Sequence, residues 1–120
     1  MPSEPANPVQ VEYTPEFKRN VRALAKKYRH IRSDIQPVLD LLQRGQVLGD
    51  RVPGTRYAIF KLRVANRDIQ RGKRSGYRLI YHLETRSHVV LVTIYSKLDQ
   101  GDISPEQIRR VLREFGASPS

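Results

Sequence analysis

The sequence predicts a small α+β domain in which an antiparallel sheet packs against helices. The chain has 120 residues, 38% of them hydrophobic, and no Cys, which suits one modest core without disulfides. Apolar residues recur at helical spacing near both ends, and three central segments alternate apolar and polar residues as half-buried strands do. The predicted order is β-α-α-β-β-β-α. Residues 9–115 are expected to form one domain, with flexible ends at 1–8 and 116–120.

The first predicted elements are a short strand and a helix. Apolar residues alternate with polar ones over residues 9–13, which indicates a strand that ends at Thr14. Thr14 is expected to cap the helix, since its hydroxyl can accept from the first turn and Pro15 suits the first helical position. The apolar stripe of this helix consists of Phe17, Val21, Leu24, Ala25 and Tyr28.

A second helix completes a predicted helical hairpin. It is expected to begin near Ser33 or Asp34, with Asp34 as its cap, because Pro37 lacks an N–H and is tolerated best in a first turn. Gly45 is expected to end the helix. The following residues, 45–56, contain further glycines and Pro53 and are predicted to be a connecting loop.

Three strands and a last helix follow. Alternation over residues 57–64, 76–84 and 89–97 predicts an antiparallel meander, and the helical hairpin is expected to cover one of its faces. Ser104 and Gln107 have the spacing of a capping box, with a Pro at the first helical position between them. The final helix then carries an apolar stripe of Ile108, Val111, Leu112 and Phe115.

Loop lengths suggest a register for the meander. Pairing Arg63 with Arg78, and Arg78 with Tyr95, puts these side chains on one face of the sheet. The same register places His82 beside Ile59 and Leu91. One end of this face then carries cationic and tyrosine side chains, and the other end is apolar and available to the last helix. The first group is Lys61, Arg63, Arg78, Tyr95 and Lys97, and the second is Ile59, Ile80 and Leu91.

The charge of the chain predicts a polyanionic partner. Its 22 Lys and Arg against 12 Asp and Glu give a net charge of +10. Residues 56–86 hold nine basic and two acidic side chains, so the excess belongs to the predicted sheet and not to a basic tail. The absence of Cys excludes thiol chemistry. The sequence shows no apolar run of ~20 residues and no signal peptide, so a cytoplasmic location is expected.

The predicted cationic end of the sheet requires a counter-charge. Two arginines directly across a sheet repel each other, so either carboxylates from elsewhere in the fold or an anionic ligand should balance them. The loop over residues 65–75 extends the positive charge. Its basic side chains, Arg67, Arg71, Lys73 and Arg74, are predicted to contact phosphate groups of RNA.

Cleavage of RNA through attack by the 2′-hydroxyl of the RNA itself would use these residue types. Arg63 and Arg78 suit stabilisation of the phosphorane, because guanidinium matches phosphate oxygens in a bidentate way. Neighbouring cations lower the pKa of a Lys, so Lys61 or Lys97 could exchange protons nearer neutral pH. Tyr95 could stack on a base or donate from its hydroxyl.

The other candidate groups have simpler interpretations. His82 lies on the same predicted face as the cationic side chains but toward the apolar end of that face, so packing is favoured over catalysis. His30 and His88 fall in predicted turns and are expected to have no special role. Asp99 and Asp102 follow the last strand and are interpreted as turn formers rather than metal ligands. No zinc spacing or Walker-type phosphate loop is present, so no cofactor is expected.

The sequence resembles toxins of the RelE/ParE superfamily from bacterial toxin–antitoxin modules, most closely the HigB-like and RelE-like branches. The resemblance runs over about residues 9–115, and the strand Gly-Tyr-Arg-Leu-Ile-Tyr is its most specific part. The early helices resemble the family only in pattern. The segments that carry the resemblance are 57–62, 71–81, 91–97 and 102–104.

This resemblance implies a small α/β fold and metal-independent cleavage of messenger RNA on translating ribosomes, and hence inhibition of translation. It supports roles for Lys61 on the first meander strand and Arg78 on the second. The RelE prototype has an Arg just after the last strand and a Tyr near the C-terminal helix. Here Leu98 follows Lys97 and no Tyr follows Tyr95, so Tyr95 and Lys97 are expected to fill those roles, as in HigB-like relatives.

A toxin of this kind implies a partner. We expect an acidic, partly disordered antitoxin that folds onto the sheet or the helical hairpin and forms a hetero-oligomer with the toxin. Messenger RNA and the ribosome are the other expected partners, and no membrane is. Two alternatives stay open on the same fold, namely a ParE-type gyrase inhibitor and a non-catalytic RNA-binding module.

Overall fold

The computed structural model describes residues 8–69 and 76–116. These residues form an α+β fold, as predicted, with three helices and five strands. None of the helices described is both long and apolar enough to cross a membrane. In chain order the elements are β1 (Gln10–Tyr13), α1 (Pro15–Ala25), α2 (Ile31–Gln43), β2 (Asp50–Arg51), β3 (Ile59–Val64), β4 (Tyr77–Thr85), β5 (His88–Ser96) and α3 (Pro105–Phe115).

The sheet has the order β1-β5-β4-β3-β2. Strands β3, β4 and β5 form the predicted antiparallel meander, and β1 pairs in parallel with β5. The prediction that residues 45–56 form only a loop is wrong, because β2 lies within them and pairs with the edge of β3. A strand of two residues has no alternation that a sequence pattern could show.

The predicted register is confirmed at the cationic end of the sheet. Arg63 pairs with Arg78, Arg78 pairs with Tyr95, and Lys61 pairs with Ile80. Beyond Ser96 the chain continues in the same register, since the backbone N–H of Lys97 donates to the carbonyl of Gly76 at 3.0 Å. The positions of these side chains on one face therefore follow from backbone pairing.

A β-bulge changes the register farther along β4 and β5. Tyr81 pairs with Leu91 and His82 with Val90, so the predicted pairing of His82 with Leu91 is wrong. The extra residue in β5 reverses the facing of the strand beyond it. Leu91 therefore packs in the core under the helical hairpin, whereas Val90 and Val92 pack against α3.

Each face of the sheet has its own core. The helical hairpin covers one face, as predicted, and α3 covers the apolar part of the other. Burying each large apolar side chain contributes ~1.5–3 kcal/mol relative to leaving it exposed, so both layers stabilise the sheet. Fully buried members include Phe17, Ile31, Leu42, Leu79 and Leu91 on the hairpin side and Ile59, Ile80, Ile108 and Leu112 on the α3 side.

Thr14 joins the start of α1 to the bulge. Its hydroxyl accepts from the backbone N–H of Phe17 at 3.0 Å, which is the predicted cap, and donates to the carbonyl of Val92 at 2.7 Å. Thr14 is fully buried. A single hydroxyl thus satisfies a helix terminus and a carbonyl of the bulged strand, both of which would be costly to bury without partners.

The start of α2 differs from the prediction. The helix begins at Ile31 after His30, and Asp34 lies in its first turn instead of at the cap. The carboxylate of Asp68 accepts from the backbone N–H of His30 at 2.9 Å, which a local pattern could not reveal. Pro37 lies inside the helix, where it removes one backbone hydrogen bond. Gly45, with φ +90°, ends the helix as predicted.

Substitution of Gly49 by Ala tests how closely the turn before β2 approaches β3. Gly49 and Gly54 both have φ +83°, but only at Gly49 would a Cβ collide with the Lys61 carbonyl oxygen. We expect Gly54→Ala to lower the free energy of unfolding by about 1 kcal/mol through backbone strain alone. Gly49→Ala should lower it by about 3 kcal/mol or more. Equal losses in urea unfolding would show that the close approach is not sterically tight.

His88 links three strands through its two ring nitrogens. Nδ1 contacts Glu84 at the end of β4 at 2.7 Å, and Nε2 contacts Glu12 of β1. Burial alone lowers the pKa of His88, but the hydrogen bonds with Glu84 and Glu12 raise it on balance. Because the pKa is raised, the protonated ring stabilises the folded protein at pH values below 6.5, the ordinary pKa of His. This stabilisation is lost as pH rises through the raised pKa of the folded protein.

We therefore expect the stability difference between wild type and His88→Gln to be largest below pH 6.5 and to shrink as pH rises above it. Urea unfolding at a series of pH values measures this difference. Subtracting the free energy of unfolding of the variant from that of wild type at each pH cancels the contribution of His82, which both proteins contain. A difference that is constant across this range would contradict a bridging imidazolium.

Candidate functional site

The candidate site lies at one corner of the sheet, where three strands bring the predicted side chains together. Lys61 and Arg63 come from β3, Arg78 from β4 and Tyr95 from β5, and Lys97 directly follows β5. We call these five residues the cationic corner. The alternation of strand residues places them on the face that α3 covers only farther along.

Asp102 supplies a carboxylate to the cationic corner. Its Oδ1 lies 2.9 Å from Nζ of Lys97 and 3.6 Å from Nζ of Lys61, and it accepts from the hydroxyl of Tyr95 at 3.2 Å. The interpretation of Asp102 as only a turn former is therefore wrong. The turn after β5, in which Asp99 N–H donates to the Ser96 carbonyl, brings the chain back toward the corner.

The ionisation states at the corner follow from these contacts. The hydrogen bond from Lys97, helped by the charge of Lys61, lowers the pKa of Asp102 below its ordinary value of 3.8, so this carboxylate is ionised at neutral pH. Burial, with the neighbouring charge of Asp102, raises the pKa of Tyr95. The Tyr95 hydroxyl therefore stays protonated at neutral pH and acts as a hydrogen-bond donor.

The corner keeps an excess of positive charge. The corner has four cationic side chains and one carboxylate, which contacts Lys97 and Lys61. The other two cations, Arg63 and Arg78, are directly opposed across β3 and β4. Asp50 of β2 lies opposite Lys61 in the ladder, but no ion pair joins them in the described structure. The guanidinium of Arg78 makes a long 3.5 Å contact with the Tyr77 carbonyl, so it remains available to an anion.

The remaining predicted residues lie elsewhere. Arg67 contacts α2, with its Nε 3.2 Å from Asp34 Oδ1, and 58% of its side chain stays exposed. Arg71, Lys73 and Arg74, which were predicted to bind RNA, lie outside the described residues. His82 is fully buried and packs edge-on against Tyr57, which agrees with its interpretation as a packing residue.

A polar cavity of about 230 Å³ lies beside Tyr95, between α1, β5 and α3. Amide and hydroxyl side chains line much of it, and these groups can hydrogen-bond to the edge of a nucleobase. No local sequence pattern could predict this cavity, because its walls come from three separate elements and the turn after β5. The lining includes Asn20, Thr93, Tyr95, Gln100 and Gln107.

Neither a metal centre nor a family match accompanies this geometry. Among residues 8–69 and 76–116, no group of three or more His, Asp or Glu residues is arranged to hold a metal ion. No protein-family model matches the chain. The RelE/ParE assignment therefore stays a prediction that depends on the motifs quoted above.

Asp102→Asn tests whether the carboxylate holds the corner together. Removing its charge takes away the carboxylate that Lys97 and Lys61 share, so we expect the free energy of unfolding to fall by less than about 1 kcal/mol at low salt. Screening should reduce this loss at high salt. Urea unfolding of both proteins at two salt concentrations measures the effect. A loss that salt does not change would show that Asp102 acts through packing or turn geometry.

Proposed function

We propose that the protein is the toxin of a type II toxin–antitoxin system and a metal-independent endoribonuclease that cleaves messenger RNA. The observation that supports this best is the cationic corner, where Arg78 lies between Arg63 and Tyr95 in the strand pairing. Such a group of exposed and half-buried cations beside a protonated tyrosine suits a ribose-phosphate backbone.

Arg78 and Lys61 would stabilise the charge that develops on the phosphate. When the 2′-hydroxyl attacks phosphorus, negative charge collects on the non-bridging oxygens, and donors fixed near them favour the transition state. Arg78 offers a planar pair of N–H groups and Lys61 a point charge. Arg63, which is exposed, would contact the phosphate or its neighbour along the strand.

Proton transfer would use the groups around Asp102. Its carboxylate accepts the proton of the attacking 2′-hydroxyl, and the Lys97 ammonium gives a proton to the 5′-oxygen as the P–O5′ bond breaks. The products are a 2′,3′-cyclic phosphate and a free 5′-hydroxyl. A carboxylate whose pKa is lowered is a weak base, so positioning of the RNA by the ribosome would supply much of the rate.

The same surface suits an inhibitory partner. An acidic antitoxin that covers the cationic corner would remove its attraction for RNA and balance the opposed arginines. Once released from its antitoxin, the toxin would act in the cytoplasm on messenger RNA held by translating ribosomes. This proposal requires a neighbouring gene for a small acidic protein.

Arg78→Ala tests the proposal, with Arg19→Ala as its matched control. Arg19 is an exposed residue of α1 and makes no ion pair within the described parts of the chain, so its loss changes the net charge equally. We expect Arg78→Ala to slow messenger cleavage by about 100-fold or more and to relieve growth arrest. Primer extension on cellular messenger RNA after induced expression, with circular dichroism of each purified variant, provides the measurement.

Unchanged cleavage by a folded Arg78→Ala protein would remove Arg78 from the mechanism. Growth arrest with intact messenger RNA and with DNA damage signalling would instead identify a gyrase inhibitor. RNA binding without any cleavage product in wild type would leave only a binding module.

A further inference from the structure

A cavity lined by three arginines lies beside α3, apart from the cationic corner and from the polar cavity at Tyr95. Its volume is about 460 Å³, and residues of the β2–β3 turn and of α3 line it. None of these residues belongs to the cationic corner. The lining residues are Thr55, Arg56, Tyr57, Arg109 and Arg113.

The turn that forms one wall of this cavity is held in a fixed shape. A terminal nitrogen of Arg109 donates to the Gly54 carbonyl at 2.5 Å, which ties α3 to the turn. Thr55 is buried and its hydroxyl donates to the carbonyl of Tyr57 at 2.9 Å. Arg56 has φ +68°, the one non-glycine residue with positive φ in the described structure. Such a conformation persists only where the surrounding structure holds it, which the bonds of Arg109 and Thr55 do here.

The charge in this cavity is poorly balanced. Within residues 8–69 and 76–116, neither Arg56 nor Arg113 forms an ion pair, and Arg109 meets Glu106 only at 3.8 Å. That glutamate side chain is 81% exposed, so water screens it strongly. Three guanidinium groups around one cavity suit a phosphate group, which guanidinium binds in a bidentate way.

The cavity lies on the same side of the sheet as the cationic corner. Tyr57 packs with Ile59 and Ile80 in the core under α3, and Lys61 continues the same face of β3. Tyr57 lies two residues before β3, and its carbonyl accepts from the backbone N–H of Ile59 at 3.0 Å. The four residue steps from Tyr57 to Lys61 therefore span at most ~13 Å. At about 3.4 Å per nucleotide in a stacked strand, this distance corresponds to about four nucleotides.

We infer that this cavity is a second phosphate subsite, which holds the backbone of the same RNA strand several nucleotides away from the bond that is cleaved. The inference rests on the proposed function, because it assigns a role to the RNA that extends beyond the cationic corner. A nucleic-acid strand is favoured over an acidic peptide because regularly spaced phosphates can occupy two cationic sites that lie on one face.

Binding of RNA that cannot be cleaved tests this subsite separately from catalysis. Fluorescence anisotropy would use 2′-O-methyl oligonucleotides of about ten and about two nucleotides, since only the longer one spans the ~13 Å between the sites. The variants are Arg113→Gln and Arg56→Gly, with Arg19→Gln as the control of equal charge. Arg56→Gly also removes backbone strain, so a loss of binding there cannot come from poorer folding of the turn.

We expect Arg113→Gln and Arg56→Gly each to weaken binding of the long oligonucleotide by about tenfold relative to Arg19→Gln. The slope of log affinity against log salt should fall by about 0.7 for each lost phosphate contact. Binding of the short oligonucleotide should not change.

Three results would overturn the subsite. The long oligonucleotide could bind the subsite variants and the control equally, or the variants could weaken binding of the short oligonucleotide as much as that of the long one. In the same assay with a labelled poly-Glu peptide, the variants could instead lose binding of the peptide and keep that of the long oligonucleotide. If wild-type protein cleaves messenger RNA but the variants bind the long oligonucleotide as tightly as the Arg19→Gln control does, the subsite alone is rejected. Wild-type protein that binds neither oligonucleotide would also reject the subsite. If that protein cleaves no messenger RNA either, the proposed function is rejected with it.

Discussion

The pairing of β4 with both of its neighbours is the constraint on which the rest of the structure depends. It sets Arg78 directly between Arg63 and Tyr95 and leaves two guanidinium groups facing each other. Such a pair is unfavourable by itself. The two buried layers on either side of the sheet supply the stability that maintains it, because slipping the register by one residue would move every core side chain of β4 to the opposite face, into the wrong layer.

Asp102 shows how the fold tolerates this concentration of charge. Its carboxylate is shared between Lys97 and Lys61, so part of the positive charge is balanced, and it makes no contact with the Arg78 guanidinium in the described structure. The α3 helix extends this organisation. Its first residues follow Asp102 at one end, and Arg109 and Arg113 line the second cavity near the other. A single helix therefore borders both cationic sites.

Much of the fold and of the site could be predicted from local pattern. Strand alternation and loop length were enough to place Arg63 opposite Arg78, and the caps at Thr14 and Ser104 are those expected. The facing of Leu91 could not be predicted, because a bulge depends on packing from both faces and on the distant hydroxyl of Thr14.

Contacts made by loops were equally invisible in the sequence. Asp102 contacts Lys61 and Asp68 contacts His30, and both partners lie far along the chain. A carboxylate in a turn has the same sequence signal whether or not it reaches such a partner. The cavity at Arg56 and Arg113 joins a turn to a helix more than fifty positions later, as the bond from Arg109 to Gly54 illustrates.

The parallel pairing of β1 with β5 has a consequence for synthesis of the chain. Val11 of β1 needs Val89 of β5 as its partner, so β1 remains without a ladder until β5 has left the ribosome. Contacts this distant along the chain form slowly because the intervening loop must close first. Asp102 emerges later still. A nascent chain therefore cannot assemble the cationic corner with its carboxylate until residues up to Asp102 have been synthesised.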